Sequence, residues 1–381
     1  MPHYKLENVK DFAGFSAENA LAGATSVKII TKDLITSDDP NFYKRIDFIF
    51  PTFFNTTKYK VPADGVNRFV IILHKDSTAD VYFDDFAVSV EIKAKRNIAA
   101  GQAVNSSDIA DIRRVKFDGI NIDKTDKIIC CLKIGWKFAL FFDFGRRHTE
   151  LDIEDVQRRL GDVYRYLSFQ YIYVTLEPSS EVLYKKILKD GWFPFLEIAS
   201  EYKTLSEAYK NDFDIEGKTE AIVKSFDGAR IKLITEKWWK VPVFGQKRKI
   251  IEAGIEAYLR GSETDYINCI KNLSSELEGI LRSAIYRDTK KGDNVKVRDM
   301  LKYVKTQGVK IFGSGFALSL PEPFVDYLKN AIFLDFSVEK GEVELSRHSV
   351  NHGVVDSEKY TKYRALQLIL VLDQIYYFMN Q

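Results

Sequence analysis

The C-terminal run constrains this chain most. Between Tyr360 and Met379, the residues Leu366, Ile369, Leu370, Val371, Leu372, Ile375, Tyr376 and Phe378 leave little polar surface on any side of a helix. A helix apolar nearly all round must be covered on every side, as the central member of a bundle or by a second chain. A membrane is not the expected cover, because no uninterrupted span of about 20 apolar residues occurs anywhere.

The preceding sequence supplies partners for such a bundle. A helix is predicted over 246–259, closed near Gly261, and a longer one over 264–286, where Tyr266, Ile270, Leu273, Leu277, Ile280 and Ala284 keep an i+3/i+4 rhythm. A third follows over 295–305 with Val297, Met300, Leu301 and Val304 inward. A fourth starts at Pro321, a favourable first-turn residue, with Phe324, Leu328 and Ile332 on one face. Asp356 or Ser357 starts the last one. Trp238 and Trp239, ahead of Pro242, mark the entry to this region and read as a buried plug more readily than as a base-stacking pair.

Upstream the pattern changes. The stretches 26–30, 43–54, 68–74, 79–95 and 128–144 are β-branched or aromatic, with turn-like segments at 62–65 and 99–101 between them, and the spacing predicts a sandwich or barrel. Residues 146–237 read as a helical connector: Val156, Leu160, Val163 and Leu167 recur at helical spacing, Ser179 or Ser180 caps a short helix ending at Gly191, and 216–225 forms another closed by Gly228. The expectation is an α+β multidomain chain: a β-rich domain over 1–145, the connector over 146–237 and an all-α bundle over 238–381, reasonable for 381 residues.

Charge and cysteines narrow the function classes. Lys plus Arg (56) nearly balances Asp plus Glu (54), so any nucleic-acid site is local rather than a general basic coat. Cys130, Cys131 and Cys269 form no metal pattern and read as reduced structural thiols. The charged start lacks the apolar core of a signal peptide, and a cytoplasmic location is expected. No metal site is expected. Asp84 or Asp85 with Glu91 and Lys93 loosely matches a metal-nuclease strand, yet an exposed strand alternates charge in the same way. Asp143, His148 and Glu150 lack a second histidine at ligand spacing.

Chemistry concentrates at Ser346, Arg347, His348, Ser349, Val350, Asn351, His352 and Gly353, which hold two of the five histidines. Arginine offers a charged planar fork for phosphate, and histidine exchanges a proton near neutral pH. This Arg-x4-His spacing, with His348 after the arginine, Gly353 after the second histidine and a long apolar helix beyond, resembles the signature of the HEPN superfamily. The resemblance covers 238–381; Ser346 departs from it, since relatives often carry Asn there.

What the resemblance implies is a metal-independent endoribonuclease that needs no cofactor, with RNA as partner. His352 would serve as general base or acid toward the ribose 2'-OH, and Arg347 would stabilise the phosphorane. His348 and Asn351 would orient substrate or assist proton transfer. In similar chains an acidic residue stands where Glu278 does, placed to hold the arginine. The basic stretch 282–310, with Lys290 and Lys291, would hold the RNA backbone. HEPN domains commonly form homodimers that bring two motifs to one cleft, which would also cover the last helix. Chains of this arrangement often serve bacterial toxin or phage-defence systems, the β-rich domain meeting a trigger or inhibitor protein. The alternative reading is a non-catalytic HEPN-like module that binds nucleotide or RNA, or dimerises.

Overall fold

The computed structural model describes residues 3–54, 67–145, 150–174, 176–290, 294–312, 317–334 and 346–379. The turn expected at 62–65 and the residues Arg146, Arg147, His148 and Lys291 lie outside them. By packing, the chain divides into two compact units, one of residues 1–93 and 112–170, the other of 94–111 and 171–381. The architecture is mixed, an N-terminal β-sheet region followed by a helical C-terminal region.

The first unit contains β1 (His3–Leu6), β2 (Ser16–Ala17), β3 (Ile29–Ile30), β4 (Lys32–Thr36) and α1 (Pro40–Ile49), then β5 (Phe69–Leu73), β6 (Ala79–Phe83) and β7 (Val88–Ala94). β8 (Ile109–Phe117), which enters this unit at Ile112, β9 (Lys127–Ile134), β10 (Lys137–Asp143) and α2 (Ile153–Ser168) follow. Six strands form one open sheet in the order β1-β6-β5-β9-β10-β4, every neighbour antiparallel.

This open sheet replaces the expected sandwich or barrel. The stretch 43–54, predicted as a strand, folds as α1 and a π-helical turn at Phe50–Phe54. Asp39 accepts a 2.8 Å hydrogen bond from the Asn41 N–H, and Pro40 occupies the first helical turn. That cap and the preset proline φ override the β preference of the aromatic residues. Phe42, Ile49, Phe53 and Phe54 then pack on one face of the sheet, against Phe69, Ile71, Ile129 and Leu140. The opposite face of β9 and β10 is covered by α2, which buries Val156, Leu160 and Val163. Cys130 and Cys131 are both buried and, as neighbours on β9, point to opposite faces. Burial pushes the Cys131 thiol up to about 12, which suits packing and not nucleophilic chemistry.

The second unit is helical. It includes α3 (Gln170–Val174), α4 (Glu181–Lys189), α5 (Ala199–Asn211), α6 (Ile215–Ser225), α7 (Gly228–Glu236) and α8 (Pro242–Gly245). Then come α9 (Arg248–Arg260), α10 (Glu263–Thr289), α11 (Val297–Phe312), α12 (Pro321–Tyr327), α13 (Arg347–Asn351) and α14 (Lys362–Met379). Gly261, at φ +83°, ends α9, and Ser262 begins α10 through a capping box with Asp265. Gly228 does not close α6 as expected; it opens α7 behind the Asp227 cap.

From Ala365 to Met379 every residue of α14 is buried by its own chain. The helix is the centre of its unit, packed by α6, α9, α10 and α11. The expectation that a second copy covers it is corrected by this enclosure. Its polar side chains are bonded: Gln367 donates to the Asp190 carbonyl at 2.9 Å, and Gln374 donates to the Ser319 carbonyl at 2.7 Å. Among the described residues no helix is long and apolar enough to cross a membrane.

Candidate functional site

The motif residues sit on α13 and its ends. Ser346 caps the short helix in a reciprocal box with Ser349, His352 is its C-cap, and Gly353 at φ +69° turns the chain away. This local structure follows from a serine before the helix and a glycine after it. α13 packs on α10, and Arg347 faces that helix. Its guanidinium Nη1 pairs with Glu278 Oε2, and its carbon end lies 5.7 Å from the Phe333 ring centroid. Glu278 also accepts from Arg282 Nε at 2.7 Å.

Glu278 therefore meets Arg347, the contact that the resemblance implied. Arg347 Nε is buried without an acceptor among the described residues. The two histidines share the other side of the turn: the His348 and His352 rings are 4.6 Å apart. His352 and Asn351 are exposed and His348 is partly buried. At about 100° per residue, Arg347 and His352 stand roughly 140° apart around the helix axis.

Lys290 is not at this place. It is the left-handed C-cap of α10, its ammonium 5.8 Å from the Tyr286 ring centroid. It stands twelve positions after Glu278, roughly 18 Å along α10. The basic stretch around it is partly neutralised, Arg287 by Asp288 at 2.8 Å and Lys305 by Glu322 at 2.8 Å. In the other unit, Glu91 pairs with Arg114 at 2.6 Å on the neighbouring strand, as a wet strand face would.

A second polar centre was not anticipated. Lys237, at the end of α7, donates to Glu197 Oε1 and the Tyr377 hydroxyl, both at 2.8 Å, and lies 3.0 Å from Asp373 Oδ1. Trp238 is wholly buried, and its indole N–H donates to the same Asp373 oxygen at 2.7 Å. Trp238 is thus core, and not a base-stacking platform.

Burial, with the Glu197 charge added to it, pushes the Asp373 carboxyl up to about 7 despite Lys237. Burial would also raise Glu197, but Lys237 and Lys95 outweigh it and hold that carboxyl down at about 2. One signal for this centre was present in the sequence: a carboxylate inside an all-round apolar helix must find a buried partner. Which partner it finds depends on tertiary packing.

The same unit holds a cavity of about 340 Å³, lined by Lys95, Arg96, Ser107, Asp108, Glu197, Ser200, Glu201, Arg230, Leu233, Ile234 and Lys237. Among the described residues, no group of three or more His, Cys, Asp or Glu side chains is arranged to hold a metal ion. Comparisons of the chain with protein-family models, with curated proteins and with solved structures each give no match. What the fold defines is a mixed chain with a sheet unit and a helical unit.

Proposed function

We propose that the helical region is HEPN-like and that the chain is a metal-independent endoribonuclease, of the kind that serves bacterial toxin or phage-defence systems. The supporting observation is the pair of imidazoles 4.6 Å apart at the solvent end of α13, beside an arginine anchored by Glu278. RNA carries its own nucleophile, the 2'-OH. His352, exposed, takes or gives the proton as that oxygen attacks the adjacent phosphate and the 5'-oxygen leaves, giving a 2',3'-cyclic phosphate. His348 serves the opposite proton transfer, Asn351 orients the substrate, and the Arg347 guanidinium stabilises charge on the phosphorane. Lys290, further along α10, holds the RNA backbone, a role the sequence also gives to Lys291. A homodimer through the helical unit would set two such turns in one cleft, and a trigger or inhibitor protein would act through the β-rich unit.

A second reading has its own observation. Arg347 is turned to α10 by Glu278 and stands well round the helix from His352, which favours a non-catalytic HEPN-like module that binds nucleotide or RNA, or dimerises. Incubation of the purified chain with total RNA separates the two. Fragments with cyclic-phosphate ends, falling about 100-fold or more in His352→Ala, with DNA uncut, are the nuclease outcome. Equal cleavage by that variant overturns the assignment, and binding without cleavage establishes the module.

A further inference from the structure

The cavity of the helical unit carries a charge imbalance. Its walls present four cations and three carboxylates. Each carboxylate already has a cation of its own: Asp108 meets Arg96 at 2.6 Å, Glu201 meets Arg230 at 2.8 Å, and Glu197 meets Lys237 at 2.8 Å. The fourth cation, Lys95, pairs with no carboxylate among the described residues and donates to the Leu196 carbonyl. An ammonium has three donors, so two remain for whatever occupies the cavity.

We propose that this cavity binds a small organic monoanion, its carboxylate set against the Lys95 ammonium. The charge argument selects a single negative charge: one wall cation lacks a carboxylate, and a second negative charge on the ligand would face the three carboxylates of the wall with no cation left for it. Ser107 and Ser200 add hydroxyl donors, while Leu233 and Ile234 give one apolar wall for a hydrocarbon body. About 340 Å³ lies at the lower end of the roughly 300–1,000 Å³ typical of small-molecule sites. Burial pushes Lys95 below the usual lysine value against the pull of Glu197, as expected of an ammonium stripped of water. Asp373 lies outside the lining, where its Oδ1 is taken by Lys237 and the Trp238 N–H, so among the described residues it forms no ion pair with Lys95. This site is independent of the α13 motif.

Titration of the full-length chain with acetate, benzoate, neutral benzamide and inorganic phosphate, followed by protein NMR and calorimetry, tests the proposal. Benzoate is expected to bind saturably and more tightly than acetate, and benzamide not to bind. Lys95→Met should weaken benzoate about tenfold to 100-fold, the worth of a hydrogen bond to a charged group. Leu233→Ala, at a side chain 58% exposed and dispensable to the fold, should weaken benzoate while leaving acetate unchanged; it keeps the test open if Lys95→Met fails to fold. Benzoate affinity weaker than about 10 mM, equal binding in a folded Lys95→Met, equal binding of benzamide, or preference for phosphate overturns it.

Discussion

The Trp238 indole N–H donates to Asp373 Oδ1 at 2.7 Å, and Lys237 Nζ lies 3.0 Å from the same oxygen, so two consecutive residues after α7 grip one carboxyl at the middle of α14. A helix that is apolar all round has no unique rotation in a greasy surround. Polar bonds remove that freedom, because each is made at one rotation and one height only. Gln367 on the Asp190 carbonyl and Gln374 between the Ser319 carbonyl and the Leu196 N–H add two more such constraints along the same helix.

The pH dependence of this grip has a definite sign. Folded Asp373 titrates at about 7, against roughly 3.9 in an unfolded chain. Between those values the folded state binds a proton the unfolded state does not, so stability from this group falls as pH rises toward 7. Glu197, held at about 2, acts oppositely and only below about 4.5. Urea midpoints measured from pH 5 to 8 should therefore decline less in Asp373→Asn than in the parent. Identical slopes would mean that Asp373 is ionised throughout.

Much of the helical region was legible in sequence because helix periodicity and end signals agreed. The run 264–286 became α10 at Glu263–Thr289, with Gly261 and Ser262 setting the boundary. The β region was less legible. Its aromatic stretch 43–54 reads as strand by side chain, whereas Asp39 and Pro40 decide the backbone as helix. The stretch 128–144 is two strands, turned at Gly135 (φ +60°) beside the exposed Trp136. At the motif, the Glu278–Arg347 pair was foreseen from the resemblance. The cavity was not, since Lys95, Glu197 and Lys237 come from distant stretches that no spacing rule connects.

The sheet unit contains a second titrating centre. His74 Nδ1 lies 2.8 Å from Asp126 Oδ1, and Nε2 lies 3.1 Å from Asp80 Oδ2, which also meets His3 through its other oxygen at 2.8 Å. Burial would lower the imidazole, but Asp126 and Asp80 outweigh it and raise it above 6.5. A raised histidine contributes stability fully below about 6.5 and loses it as pH climbs through the folded value. His74→Gln should cost about 1 kcal/mol at pH 6 and less at pH 9. NMR titration of the ring protons checks the direction, and a midpoint at or below 6.5 refutes it.

Glu278 divides its two oxygens between Arg282 and Arg347, and the two pairs differ in worth. Arg282 is 40% exposed and one helical turn away on α10, an arrangement worth a few tenths of a kcal/mol. Arg347 is 17% exposed, and Glu278→Gln leaves its charge uncompensated beside Phe333, a loss of about 2 kcal/mol in urea unfolding. Arg347→Met removes that charge while keeping an apolar stem, so it should cost less, and the double variant should match it. The coupling is then about 2 kcal/mol, and a coupling near zero would show the pair to be idle. Activity distinguishes anchoring from chemistry. Arg347→Lys keeps a cation for Glu278 but loses the planar fork, so it should retain most stability while RNA cleavage per folded molecule drops. If cleavage instead followed stability alone across these variants, Arg347 would be a fastener of α13 to α10 and no part of the reaction.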